Sequence, residues 1–150
     1  MSDLDTVLDY VEQSCLARGK KLTPKRKLVL QTLLHANQAL SAYELLDYCQ
    51  QHFEQHIPVM TIYRILDFLE CEHFVHKLKV SNQYIVCSHI LSENEHGVAQ
   101  FFICTKCNKI NEKIIDPLMM QGLQSNAQQE GFTVIDPQIE INGVCDKCIK

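Results

Sequence analysis

Residues 58–87 read PVMTIYRILDFLECEHFVHKLKVSNQYIVC, and the change of period inside them decides the fold class. After Pro58 the apolar residues Ile62, Ile65, Leu66 and Leu69 step i, i+3, i+4, i+7, the spacing of one buried stripe on a helix. Thr61, Arg64 and Asp67 are left on another side. From Phe74 onward the helical period is lost. Residues 74–79 and 83–87 are short strand-like runs joined through Val80, Ser81 and Asn82, which predicts a hairpin. A helix that turns polar groups outward, followed by a hairpin, is the second half of a winged helix-turn-helix.

The first half lies upstream. Leu4, Val7, Leu8, Val11 and Cys15 recur at helical spacing. A second helix opens at Thr23-Pro24, with Thr23 as N-cap and Pro24 at the first helical position, and its buried stripe is Leu28, Val29, Thr32 and Leu33. A third opens at Ser41, where Glu44 three residues on completes a capping box, and Leu45, Leu46 and Cys49 follow on one face. Downstream the pattern is mixed: strand-like residues 99–104 and 110–115, a helix over 116–130 capped by Asp116 with Pro117 behind it, and a strand over 133–142. The expected class is α+β, with a winged-helix DNA-binding domain over 1–82 and a small α/β domain over 83–150. Domains this small usually need a staple.

The staple is visible in the cysteines. The N-terminal residues MSDLDTVLDYVEQS lack the basic start and apolar run of a secretion signal, and no apolar stretch approaches the roughly 18 residues that span a bilayer. A cytoplasmic protein with no membrane partner is expected, and there the eight cysteines stay reduced. Cys104-Thr-Lys-Cys107 and Cys145-Asp-Lys-Cys148 are then two metal knuckles. Two residues between thiolates let both sulfurs reach one ion, and four soft ligands suit tetrahedral zinc. A redox-active pair is disfavoured because neither CxxC sits at the strand-to-helix turn of a thioredoxin-like unit. The chain carries a net charge of −4, yet Arg18, Lys20, Lys21, Lys25, Arg26 and Lys27 form one basic cluster without an acidic neighbour. A local field of that sign, rather than the net charge, is what a nucleic acid feels.

Leu22-Thr-Pro-Lys-Arg26, Ser41-Ala-Tyr-Glu-Leu-Leu46, Thr61-Ile-Tyr-Arg64 and the doubled CxxC occur in the order seen in the ferric uptake regulator superfamily, which the chain resembles from end to end. Arg64-Ile-Leu-Asp-Phe-Leu69, Phe74-Val-His-Lys77 and Tyr84-Ile-Val-Cys87 look most like its zinc uptake regulator branch. The resemblance implies that the C-terminal domain dimerises. It also implies a repressor of zinc-uptake genes, with Zn²⁺ as co-repressor and two zinc ions per chain: a structural one on the four cysteines and a regulatory one on His76, Cys87, His96 and Glu112. His89 is an alternative regulatory ligand. Two imidazoles, a thiolate and a carboxylate make a tetrahedral site biased against hard cations.

On DNA, the helix after Pro58 is expected in the major groove, with Arg64 reading a purine edge and Tyr63 on a thymine methyl or a phosphate, beside Thr61. Lys25, Arg26 and Tyr43 would hold the backbone. A two-fold homodimer implies a palindromic operator. Within the superfamily the alternative is an iron or peroxide sensor, but the run before Cys104 lacks the histidines of the iron branch, and Cys87 places a thiol where peroxide sensing prefers histidine and carboxylate. From other classes, a thiol redox enzyme would need a reactive low-pKa cysteine. A structural zinc module binding only protein would have no use for Arg64 on an exposed face. Neither a catalytic activity nor a small-molecule substrate is expected.

Overall fold

A computed structural model describes residues 3–91, 97–135 and 137–149. The chain divides into two compact units, Met1–Leu91 and Ser92–Lys150. The division falls later than the expected 82/83 boundary for a local reason: the second hairpin strand is hydrogen-bonded into the first unit on both of its sides, as described below.

In the first unit, α1 (Asp3–Ala17), α2 (Pro24–Ala36), α3 (Ala42–Phe53) and α4 (Val59–Cys71) precede a hairpin of β1 (Val75–Leu78) and β2 (Gln83–Val86). The starts of α2 and α3 follow from their caps. Thr23 Oγ1 accepts from the Arg26 amide at 3.3 Å. Ser41 and Glu44 cap each other reciprocally, at 2.9 and 3.1 Å. Caps of this kind are each worth about 1 kcal/mol. The stripe Ile62, Ile65, Leu66 and Leu69 of α4 is buried in one core with Val11, Val29, Leu33 and Leu45. Leu30 belongs to this core too, although the stripe expected for α2 passes it by. Thr32 is buried at no polar cost, since its hydroxyl donates to the Leu28 carbonyl at 2.7 Å.

The antiparallel hairpin pairs Val75 with Val86 and His76 with Ile85. On its other side, Tyr84 and Leu40 exchange both backbone hydrogen bonds, at 2.7 and 3.0 Å, so the loop before α3 acts as a third strand for the wing. Gln83 reinforces the join by donating to Glu44 at 3.1 Å.

In the second unit, β3 (Ala99–Cys104), β4 (Ile110–Ile114), α5 (Pro117–Gln129) and β5 (Ile139–Gly143) form a three-stranded sheet in the order β4-β3-β5, with one helix. Strand β4 is antiparallel to β3, and β5 is parallel to it. The Asp116 carboxylate caps α5 by accepting from the Leu118 amide at 2.8 Å. The last strand is shorter than residues 133–142 and starts at Ile139. Pro137, which has no N–H to give a ladder, lies just before it. Helix α5 buries none of its side chains within the unit: Leu118, Met119 and Leu123 are exposed, as are Phe102, Phe132, Ile135 and Ile141. No helix among the described residues is long and apolar enough to cross a membrane.

Candidate metal centres and nucleic-acid interface

The four cysteines of the second unit converge because of strand direction. Cys104 ends β3 and pairs with Gly143 at the end of the parallel β5, so both knuckles leave the sheet at the same edge. Thr105 locks the start of the first knuckle by donating its amide to the Gly143 carbonyl at 2.9 Å. Asn108 closes that knuckle: its amide donates to the Cys104 carbonyl at 2.9 Å, and its φ of +63° lies in the left-handed region that asparagine tolerates. In the second knuckle the amides of Cys148 and Ile149 both donate to the Cys145 carbonyl at 3.0 Å.

As a result the Sγ atoms of Cys104, Cys107, Cys145 and Cys148 all lie within 4.8 Å of one another. Cys107 and Cys145 are 3.7 Å apart, sulfur to sulfur, and the Cys145 amide donates to Cys104 Sγ at 3.4 Å. No disulfide forms among the described residues. Proton sharing within the cluster is uneven. Backbone N–H groups, that of Cys145 first and then that of Cys107, pull the Cys104 thiol down to about 6. The Cys148 side chain lowers Cys145, and Cys148 itself, holding its proton toward Cys145 and Cys107, is pushed up to about 12. Four sulfurs at this spacing therefore do not ionise together unless a cation replaces their protons. That is the condition zinc meets.

A second set of donors sits in the first unit. His76 is half-buried on β1, and Cys87, buried, follows β2 directly. Their ligand atoms lie within 4.8 Å of each other. The Cys87 amide donates to the Phe74 carbonyl at 2.9 Å, which carries the hairpin pairing past the end of β2 and fixes where the thiol stands. His89 is half-buried three residues from the end of β2, with Nδ1 at 3.3 Å from Ser88 Oγ. Glu112 is half-buried on β4 of the second unit, opposite Phe101. His96 lies outside the described residues.

The polar face of α4 is open. Arg64 is exposed and forms no ion pair with Asp67 or Glu70 among the described residues, while Thr61 and Tyr63 are half-buried, Tyr63 packing on the core edge. Tyr43, at the start of α3, is 63% exposed, and Lys25, at the start of α2, is exposed. Arg26 is placed differently. Its guanidinium lies 3.7 Å from the centroid of the Phe68 ring and donates to the Lys21 carbonyl at 2.8 Å, so it braces α2 against α4.

The basic cluster is also less uniform than its sequence. Arg18 and Lys20 both pair with Glu72, a buried carboxylate that sequence reading passed over because its partners stand more than fifty positions away. Lys21, Lys25 and Lys27 remain as the cations of the cluster outside these contacts.

Comparison with known proteins agrees with this layout. The ferric uptake regulator family model matches residues 17–142. The zinc uptake regulation protein of Escherichia coli (strain K12) is 34% identical over 96% of this chain and 82% of its own length. A zinc uptake regulator solved in complex with zinc and DNA superimposes with a TM-score of 0.87 at 30% identity, covering 99% of this chain and 97% of that one. The holo form of XcZur gives 0.80 at 34% identity, over 96% and 97% of the two chains.

Proposed function

The chain belongs to the ferric uptake regulator family, and on that premise we propose that it is a zinc-responsive transcriptional repressor, not an enzyme, which binds palindromic operators of zinc-uptake genes in the cytoplasm with Zn²⁺ as co-repressor. The observation that carries this reading is the placement of a thiol and an imidazole, Cys87 and His76, side by side on the wing of the unit that exposes Arg64. A thiolate in that position favours zinc over harder cations and disfavours iron-based peroxide sensing.

Two zinc ions per chain fit the donors present. Cys104, Cys107, Cys145 and Cys148 hold the structural ion, whose binding energy is folding energy for the second unit. His76, Cys87, His96 and Glu112 hold the regulatory ion. His76 and Cys87 belong to the winged-helix unit, so metal bound there acts on the unit that reads DNA. Charge alone does not operate the switch. Without metal Glu112 contributes about one negative charge, and with Zn²⁺ on thiolate and carboxylate the site is neutral, a gain of about one unit. One unit is a small part of an interface built from many separate phosphate contacts, so zinc acts by fixing geometry.

The winged-helix unit that ends at Leu91 reads DNA and the unit that follows it dimerises. Arg64 contacts a base edge, Thr61 and Tyr63 flank it, and Lys25 and Tyr43 position the backbone, while Arg26, expected beside them, braces α2 against α4. Leu118, Met119, Leu123, Phe132 and Ile141, exposed in a single chain, support a second copy of the chain as their cover. The deciding experiment is an operator-binding titration against buffered free zinc, iron and manganese. Tightening by zinc at the lowest free concentration supports the reading, and tightening by iron or manganese but not zinc overturns it.

A further inference from the structure

We infer that Glu72 is a positioning residue for metal sensing, one that holds the base of the wing and with it the His76–Cys87 ligand pair. This rests on the sensing role proposed for that pair. Glu72 caps the C-terminal end of α4 and is only 5% exposed, a place where an unpaired carboxylate is strongly unfavourable. Two cations from the α1–α2 connection meet it. Arg18 Nη1 donates to Oε2 at 2.7 Å, and Lys20 Nζ donates to Oε1. One cation would balance the charge. The second occupies the other oxygen, so the carboxylate is fixed in orientation as well as neutralised.

The tie continues to the ligands through Arg18 and Phe74. Arg18 is held from its far side by Ser14 Oγ at 2.7 Å, and its guanidinium also stands 5.2 Å from the centroid of the Phe74 ring. Phe74, buried, donates its amide to the Leu69 carbonyl of α4 at 2.9 Å, and its own carbonyl accepts the Cys87 amide at 2.9 Å. Cys87 is thus hydrogen-bonded to the residue that Arg18 covers, and Glu72 is the anchor of Arg18. Between Glu72 and Phe74 the chain turns through His73 at φ +65°, a conformation non-glycine residues adopt rarely, which places the reversal into the wing where the ion cluster grips it. Arg18 and Lys20 are therefore employed in placing the wing, not in holding DNA.

The test uses the full-length protein with its four-cysteine site loaded. Zn²⁺ affinity of the second site is measured by chelator competition, and Cys87 ligation by the thiolate-to-cobalt absorption when Co²⁺ is the probe. Glu72→Gln is expected to weaken the second Zn²⁺ by about tenfold, with loss of the cobalt–thiolate band at low metal and no change in the four-cysteine zinc. The double variant Glu72→Gln/Arg18→Gln restores the net charge of the cluster and is expected to stay equally weak, because the link to Phe74 is still missing. It decides the matter alone if Glu72→Gln does not fold. Unchanged Zn²⁺ affinity with a lower melting temperature in Glu72→Gln overturns the inference, as does recovery of wild-type affinity in the double variant. Cys87→Ser separates the two readings: if it keeps the second Zn²⁺, the sensing site itself is wrong, whereas its loss there beside an unaffected Glu72→Gln sinks only the role of Glu72.

Discussion

Cys104 and Gly143 stand opposite each other at the ends of two parallel strands, and that pairing brings a CxxC from the middle of the chain beside one at its end. A metal on the four sulfurs then closes β3 against β5, a clamp suited to a unit that leaves α5 unburied. Cys104→Ser is expected to lose the tightly held zinc, about one ion per chain, and the dimer with it. Zinc content after mild chelation and sedimentation velocity check this; full zinc with an intact dimer would refute the assignment.

The open face of α4 separates reading from holding. Arg64→Ala should cost roughly 1–3 kcal/mol on the operator and change binding to random duplex little. Lys25→Ala should weaken both and lower the salt slope by about one. Competition titrations at several salt concentrations distinguish the two, and equal losses on both duplexes for Arg64→Ala would make it a phosphate contact.

Local rules made most of the fold legible. Thr23-Pro24, Ser41 with Glu44, and Asp116-Pro117 act within one helical turn, and all three helix starts fall where those residues place them. The Ile62–Leu69 stripe is likewise a short-range period. What escaped depends on residues far apart in the chain. The pairing of Glu72 with Arg18 and Lys20, and of Tyr84 with Leu40, requires the folded unit, and the second of these draws β2 into the winged helix beyond residue 82. Arg26 differs from the other cations of its cluster through Phe68 beneath it, a contact between α2 and α4 that no local pattern encodes. The late start of the last strand was within reach, since Pro137 stands in the middle of the expected run. Of the sensing quartet, residue chemistry named suitable donors, but the selection of those four came from family resemblance.

Glu44 gives the winged helix a measurable acid dependence. Hydrogen bonds from the Ser41 amide first, and then from Gln83, hold its carboxyl below the usual 4.5. A depressed carboxylate contributes stability that is present above about pH 4.5 and is lost as pH falls through its lowered folded value. Glu44→Ala should therefore cost about 1 kcal/mol at neutral pH, and the gap from wild type should narrow below pH 4.5. Urea unfolding of zinc-free protein, followed by helical circular dichroism, checks this; a gap independent of pH would assign the effect to neutral capping alone.

Sensing is tested most directly at Cys87, which can be changed without touching the four-cysteine site. Cys87→Ser removes a soft ligand and leaves a hydroxyl of similar size, so the fold, the structural zinc and the dimer should persist while zinc-dependent operator binding disappears. The expected size follows from linkage. If zinc tightens operator binding about 100-fold, the coupling is about 2.7 kcal/mol, and the operator must tighten the second zinc by the same factor. Zinc affinity measured with and without operator, in wild type and in Cys87→Ser, closes the cycle. A variant that kept a second zinc still tightened by DNA would move the sensor elsewhere, and His89, half-buried just beyond Cys87, is the first residue to substitute in that event.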